Sequence, residues 1–158
     1  MKNLRSKSAM LDTVDAKLLA ALIANARISN AELARLVKLS GPSVADRLRR
    51  LEEAGVVAGY SVRINPAALG LPIAAWLRIR PTPGQLPKVA DILRGLPEIV
   101  ECDRVTGEDC FIARAHVKTV NDLERLIDKI IPFAMTNTSI IQSSPVERRL
   151  PPIAASRR

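Results

Sequence analysis

The stretch 30–53, NAELARLVKLSGPSVADRLRRLEE, constrains this chain more than any other. Two apolar-periodic runs, each of a length suited to a short helix, flank the break LSGPS. That spacing is helix-turn-helix spacing, in which the second helix is the one that enters a DNA groove. An earlier run, from Asp12 or Asp15 to Asn25, reads as a further helix whose acidic first turn suits the helix dipole. Ser29 or Asn30 is the expected cap of the middle helix, which should turn Leu33, Leu36 and Val37 inward.

At about 100° per residue, Val44, Leu48 and Leu51 form an inward stripe about 60° wide on the third helix. Ser43, Asp46, Arg47 and Arg50 share another arc of about 100°, and Arg49 lies just outside it. A groove-facing surface would thus present a hydroxyl, a carboxylate and two guanidiniums. Arg donates two parallel bonds to guanine, Asp accepts from cytosine, and Ser serves a base or a phosphate. Helix N-terminal amides near Pro42 and Val44 suit a phosphate as well. A second reading stands beside this one: Arg49 with Glu52 or Glu53, and Asp46 with Arg49 or Arg50, have the separations of ion pairs on a solvated face.

After Gly55 the pattern becomes strand-like, VVAGYSVRI, and then turn-prone through Pro66, Gly70 and Pro72. The remainder alternates as β-α-β-β-α-β, which predicts two helices covering one face of a four-stranded antiparallel sheet. The fold class is therefore α+β: an N-terminal helix-turn-helix, winged-helix-like domain and a C-terminal ferredoxin-like βαββαβ domain. The expected divisions are a flexible basic arm (1–10), the helix-turn-helix domain (11–58), a strand-containing hinge (59–72), the βαββαβ domain (73–145) and a flexible tail (146–158).

Composition narrows the partners. The formal charge is +8, yet 10 basic and 6 acidic residues precede Val62 and 14 and 10 follow it, so each part carries +4. Net charge alone does not locate a binding face. Aromatic residues make up only 3% of the chain, too little for the stacking platforms that grip single strands, so double-stranded DNA is favoured. No apolar run is long enough to span a membrane and the start shows no signal-peptide core, so the expectation is a soluble cytoplasmic protein. His116 is the only histidine, and Cys102 and Cys110 lack companions, so no metal site is expected. No nucleophile elbow, phosphate loop or HExxH motif occurs, and catalytic residues are expected to be absent.

The runs LDTVDAKLLAALIANARISNAELARLVKLS and RLRRLEEAGVVAGYSVRINPAALGL, with the later VTGEDCF and TNTSII, closely resemble the Lrp/AsnC (feast/famine) family of transcriptional regulators. The resemblance covers residues 11–145. It implies a DNA-binding domain joined to a dimerising sensor domain, with dimers assembling further into octamers, associated with the nucleoid. Carried over by position, Gly41, Pro42, Ser43, Asp46, Arg47 and Arg50 match the turn and recognition helix. Two-fold symmetry then predicts an inverted-repeat operator with half-sites about 10 bp apart or a multiple of it. Lys2, Arg5 and Lys7 of the arm add phosphate contacts or form an inert tail. An architectural DNA-wrapping protein of low sequence specificity is the alternative function.

The resemblance also implies no cofactor but a small-molecule effector such as an amino acid. Its site matches Thr106, Gly107, Glu108, Asp109 and Cys110 with Thr136, Thr138 and Ser139. Amides beside Gly107 suit a carboxylate, and Asp109 or Glu108 an α-ammonium. The loop departs from the family's common form by placing Cys110 where an aspartate is usual, and a plain polar hairpin turn is the competing reading. Cys102 and Cys110 flank that turn: a redox disulfide across the hairpin is one reading, reduced thiols the one a cytoplasmic setting favours. His116 reads as a packed or surface histidine, and Trp76, Phe111 and Phe133 as sheet core or dimer interface.

Overall fold

The computed structural model describes residues 11–153; the basic arm 1–10, with Lys2, Arg5 and Lys7, and residues 154–158 of the tail lie outside the described residues. The described chain divides into two compact units, one running to Arg63 and resuming at Arg148, the other Ile64–Glu147.

The first unit contains α1 (Thr13–Ala24), α2 (Asn30–Val37) and α3 (Gly41–Glu53). Each start is set by a side-chain cap. Asp12 and Asp15 form a capping box on α1, and Ser29 and Glu32 form one on α2. Ser40 caps α3, and Pro42 sits in its first turn, where no amide needs a partner. Between α2 and α3 the chain reverses through Lys38, the only described non-glycine residue with positive φ (57°). The core joins Leu18, Leu33, Val44 and Leu48, with Ala34 and Val37 packed against it. Leu36 differs from expectation and is exposed, because the inward stripe of α2 runs through Leu33, Ala34 and Val37 and leaves Leu36 off its far side.

The strand expected in VVAGYSVRI does not form: the chain between α3 and the short 3-10 turn Pro66–Leu69 has neither helix nor strand. A strand needs a neighbour to complete its ladder, and the described chain supplies none here. Tyr60, Val62 and Ile64 are all exposed.

The second unit is β1 (Ile73–Pro81), α4 (Leu86–Gly95), β2 (Ile99–Arg104), β3 (Phe111–Val117), α5 (Val120–Asp128) and β4 (Ala134–Ile140). The sheet order is β2-β3-β1-β4, antiparallel throughout, so βαββαβ is realised as the ferredoxin-like sheet. Alternation assigns the faces. Ala75, Leu77 and Ile79 of β1, with Phe111, Ala113, Ala115 and Val117 of β3, are buried together with Val89 and Leu93 of α4 and Leu123 and Leu126 of α5. The opposite face carries Trp76, Arg78, Arg80, Arg114 and His116. Phe111 belongs to the core and Phe133 packs against it, whereas Trp76 stands on the open face, 38% exposed, with the Arg114 guanidinium 5.7 Å from its ring.

Candidate nucleic-acid interface and effector site

The turn and α3 build one surface. Its shallow concavity, about 480 Å³, is lined by Leu39, Pro42, Ser43, Asp46, Arg47 and Arg50. Five of these are sequence-predicted residues, and Leu39, from the turn itself, is an addition. Gly41 is the first residue of α3. Ser40 Oγ and Ser43 Oγ lie 2.8 Å apart, and the Ser43 amide donates to Ser40 Oγ at 3.3 Å. The capped first turn is thereby held rigid.

The charges on α3 are mutually engaged. Asp46 bonds Arg49 and lies 3.4 Å from Arg50 Nε, and Arg49 also donates to Glu53 at 2.8 Å. The two carboxylates raise the Arg49 pKa, Asp46 first and Glu53 second. The ion-paired face and the polar recognition arc are thus one surface rather than rivals. Arg50, 58% exposed and held at the longest of these distances, is the cation most readily redirected to a partner.

Arg47 lines that surface, and its guanidinium is also engaged with α1. Its Nη1 donates to Asp12 at 2.7 Å and to Asp15 at 2.8 Å, and its side chain is 23% exposed. Asp12 is held below the usual carboxylate range, chiefly by the Asp15 amide and further by Arg47. Arg47 is raised in turn, by Asp12 and then Asp15. The physical reason is position: on α3, Arg47 is the arc member nearest the inward stripe, so its long stem reaches the first turn of α1. Neither carboxylate was visible as its partner in sequence, since they lie 35 and 32 residues away.

In the sheet unit the expected effector residues are spread. Thr106–Asp109 form the hairpin turn between β2 and β3, with Gly107 at φ 113°. The turn is tied to the sheet by the Val105 amide donating to the Cys110 carbonyl and the Cys110 amide to the Ile79 carbonyl, each at 3.0 Å. Glu108 pairs with Arg80 at 2.6 Å. The alternation in IRIRP was the signal for Arg80, which sequence reasoning passed over. Thr136 opposes Ile79, whose other neighbour is Phe111, so it shares the turn's end of the sheet with two strand spacings between, about 10 Å. Thr138 opposes Leu77, further along, and its Oγ1 is buried without a hydrogen-bond partner. Ser139 opposes Trp76 and stands on the other face. One copy of the chain therefore gathers the turn and Thr136 and leaves Ser139 apart.

A second concavity, about 570 Å³, lies between α4 and β2, lined among others by Leu86, Ala90, Leu93, Ile99 and Cys102. None of the expected effector residues lines it. The cross-hairpin disulfide, the less favoured of the two readings, does not fit the strand register. Cys102 opposes Ala113 in the ladder, which sets Cys110 three residues further on, about 10 Å away and beyond disulfide reach. Both thiols are free, and burial, with Asp103 beside it, pushes the Cys102 thiol up. Among the described residues no cluster of candidate ligands could hold a metal ion, and no helix is long and apolar enough to cross a membrane.

A capped helix-turn-helix with an exposed polar arc, followed by a ferredoxin-like sheet domain, defines a two-unit DNA-binding regulator. Residues 11–58 match the winged helix-turn-helix DNA-binding family and residues 74–151 the Lrp/AsnC ligand binding domain. The chain is 31% identical over 133 residues to the HTH-type transcriptional regulator LrpC of Bacillus subtilis, covering 84% of this chain and 92% of that protein. It is 37% identical over 129 residues to LrpA of Mycobacterium tuberculosis, covering 81% and 86%. The feast or famine regulatory protein of M. tuberculosis, solved with L-methionine, superposes with a TM-score of 0.82 at 34% identity, covering 90% of this chain and 99% of that one. The chain belongs to the Lrp/AsnC family of transcriptional regulators.

Proposed function

We propose that this regulator reads a duplex operator through α3 and responds to a free amino acid. The observation that carries the reading is the exposed arc of Ser43, Asp46 and Arg50 beside Leu39 and Pro42 on one concave surface. Hydroxyl, carboxylate, guanidinium and apolar edge are the groups that distinguish base pairs in a major groove, the last by contact with a thymine methyl. Gly41 and the capped first turn position the helix end against a phosphate. The division is a DNA-binding unit over 11–58, a hinge over 59–72, a sensor unit over 73–145 and a tail beyond. The protein acts without catalysis, in the cytoplasm.

The amino acid binds at Thr106–Cys110 and Thr136, with Gly107 amides on its carboxylate. The L-methionine in the solved relative supports this ligand class. Self-association completes the site, because Thr138 and Ser139 of one copy stand away from that copy's own turn. The open sheet face, with Trp76 38% and Met135 68% exposed, and the extended chain at Val62, 82% exposed, are the surfaces a second copy covers. Dimers assemble further into octamers.

Footprinting on genomic fragments, repeated with each free amino acid, tests the whole. The expected result is a protected inverted repeat whose extent changes with one amino acid. Protection that disappears under excess random duplex would make the protein an architectural wrapper, a reading the mutual pairing of Asp46 with Arg49 and Arg50 also favours. If no amino acid alters the footprint or the assembly state, the effector assignment falls.

A further inference from the structure

We infer that Arg47 is a positioning residue: it locks the recognition helix onto the first turn of α1 through Asp12 and Asp15 and leaves base reading to its neighbours. The inference rests on the DNA-binding reading above and sharpens it. One guanidinium nitrogen, Nη1, serves both carboxylates, at 2.7 and 2.8 Å. The triad is half-buried, with side-chain exposures of 23% for Arg47, 39% for Asp12 and 16% for Asp15. Redirecting Arg47 into a groove would strand two carboxylates at the edge of the core, and leaving a partly buried charge unpaired is costly.

The chemistry of the anchor point matters. Asp12 is the N-cap of α1 and accepts the Asp15 amide at 2.7 Å, while Asp15 accepts the Asp12 amide at 3.3 Å. Arg47 therefore grips a capping box that is already rigid, so the rotation of α3 about its own axis is referred to α1. A helix reads bases only if its rotation is fixed, because a turn of one residue's arc moves Ser43, Asp46 and Arg50 off their edges. The two-carboxylate clamp adds a directional restraint to the apolar packing of Val44 and Leu48.

The two roles for Arg47 predict opposite signs. If Arg47 contacts DNA, removing the charge on Asp15 frees the guanidinium and deletes a negative charge near the duplex, so binding strengthens. If Arg47 is a clamp, Asp15→Asn reproduces the defect of Arg47→Ala. Wild type, Arg47→Ala, Arg47→Lys, Asp15→Asn and the Arg47→Ala/Asp15→Asn double variant are titrated on a duplex selected from random sequence and on a scrambled duplex. Each titration is run well below that variant's own thermal transition. The expected result is a loss of preference of about three- to thirtyfold for Arg47→Ala and for Asp15→Asn, with the double variant no worse than either. Arg47→Lys recovers most of the preference, since a single ammonium can meet both carboxylates, whereas on guanine it lacks the planar, pre-organised fork of arginine.

Stronger binding by Asp15→Asn, additive losses in the double variant, or Arg47→Lys as defective as Arg47→Ala overturns the clamp. Asn keeps an acceptor for the capping box, and Arg47→Lys leaves that box untouched, so folding failure of one variant does not decide the matter. A wild-type protein with no preference between the duplexes sinks the operator reading itself, a different outcome from any of these.

Discussion

Replacing Leu33 by Ala tests whether the helical unit stands on its own core. Leu33 is fully buried where α1, α2 and α3 meet, and its cluster is small: Leu18, Leu33, Val44 and Leu48. Truncating such a leucine removes its transfer energy and leaves a cavity, at a cost of about 3–5 kcal/mol. A unit of roughly 50 residues, at about 0.05–0.15 kcal/mol per residue, holds only ~2.5–7.5 kcal/mol in total. The substitution therefore takes most of the stability of the DNA-binding unit. The sheet core, built from β1, β3, β4, α4 and α5, shares no residue with it. Trp76, the only tryptophan, lies on β1 and reports the sheet unit alone. Melting followed by far-UV circular dichroism should lose the helical signal of α1–α3 at lower temperature and keep that of α4 and α5, while the Trp76 fluorescence transition stays in place and duplex binding disappears. An equal fall in the Trp76 transition would refute the separation of the two cores. A cost below about 1 kcal/mol would refute the packing ascribed to Leu33.

Three further outcomes follow from individual residues. Arg50→Ala should cost about 1–3 kcal/mol at one base pair and little at the others, measured over a panel of singly altered duplexes; equal weakening on every duplex would make Arg50 a phosphate contact. Lys38→Gly relieves a left-handed backbone at φ 57° and should raise the stability of the helical unit by up to about 1 kcal/mol in a thermal melt; no gain would mean that the lysine side chain offsets the strain. His116 is pushed below its ordinary pKa by burial and by Arg114, with a bond to the Leu71 backbone opposing the shift. Its unfolded form therefore takes up a proton first, so the stability is present above about pH 6.5 and is lost as pH falls through the lowered folded value. Trp76 fluorescence melts across that range should show the loss, and His116→Gln should abolish it.

Local chemistry made most of the fold legible. The cap at Ser29, the acidic start at Asp12 and Asp15, the break at LSGPS and the strict alternation of FIARAHV each specify their element without help from distant residues. What sequence misplaced depends on partners far along the chain or outside it. Leu36 obeys helical spacing, but the stripe it was assigned to is decided by where α3 packs. Residues 56–64 have strand composition, yet a strand is a property of a pair, and the described residues offer no second member. Sequence left two readings open for Cys102 and Cys110 because hairpin register, with its irregularity between Ile99 and Glu101, sets which residues oppose. The carboxylate partners of Arg47 were hidden for a similar reason: an angular arc on one helix does not reveal that another helix presents two carboxylates to its edge.

The charge on the helical unit then separates affinity from discrimination. α3 carries Arg47, Arg49 and Arg50 against Asp46, Glu52 and Glu53, a net of zero, and the clamp ties Arg47 to two further carboxylates. Beyond the amides of its first turn, net charge attraction for phosphates must therefore come mainly from cations outside α3. Between α1 and α3 the chain carries Arg27, Arg35 and Lys38, all exposed, against Glu32. In helix-turn-helix docking the helix before the recognition helix crosses the phosphate backbone, which is where these cations belong. Each phosphate neutralised contributes about −0.9 to the slope of log affinity against log salt. Arg35→Ala should accordingly flatten that slope by about one and weaken binding to selected and scrambled duplexes alike. Arg50→Ala should do the reverse, costing preference and leaving the slope nearly unchanged. If both substitutions alter slope and preference together, the division of labour between α2 and α3 is wrong, and α3 engages phosphates and bases with the same groups.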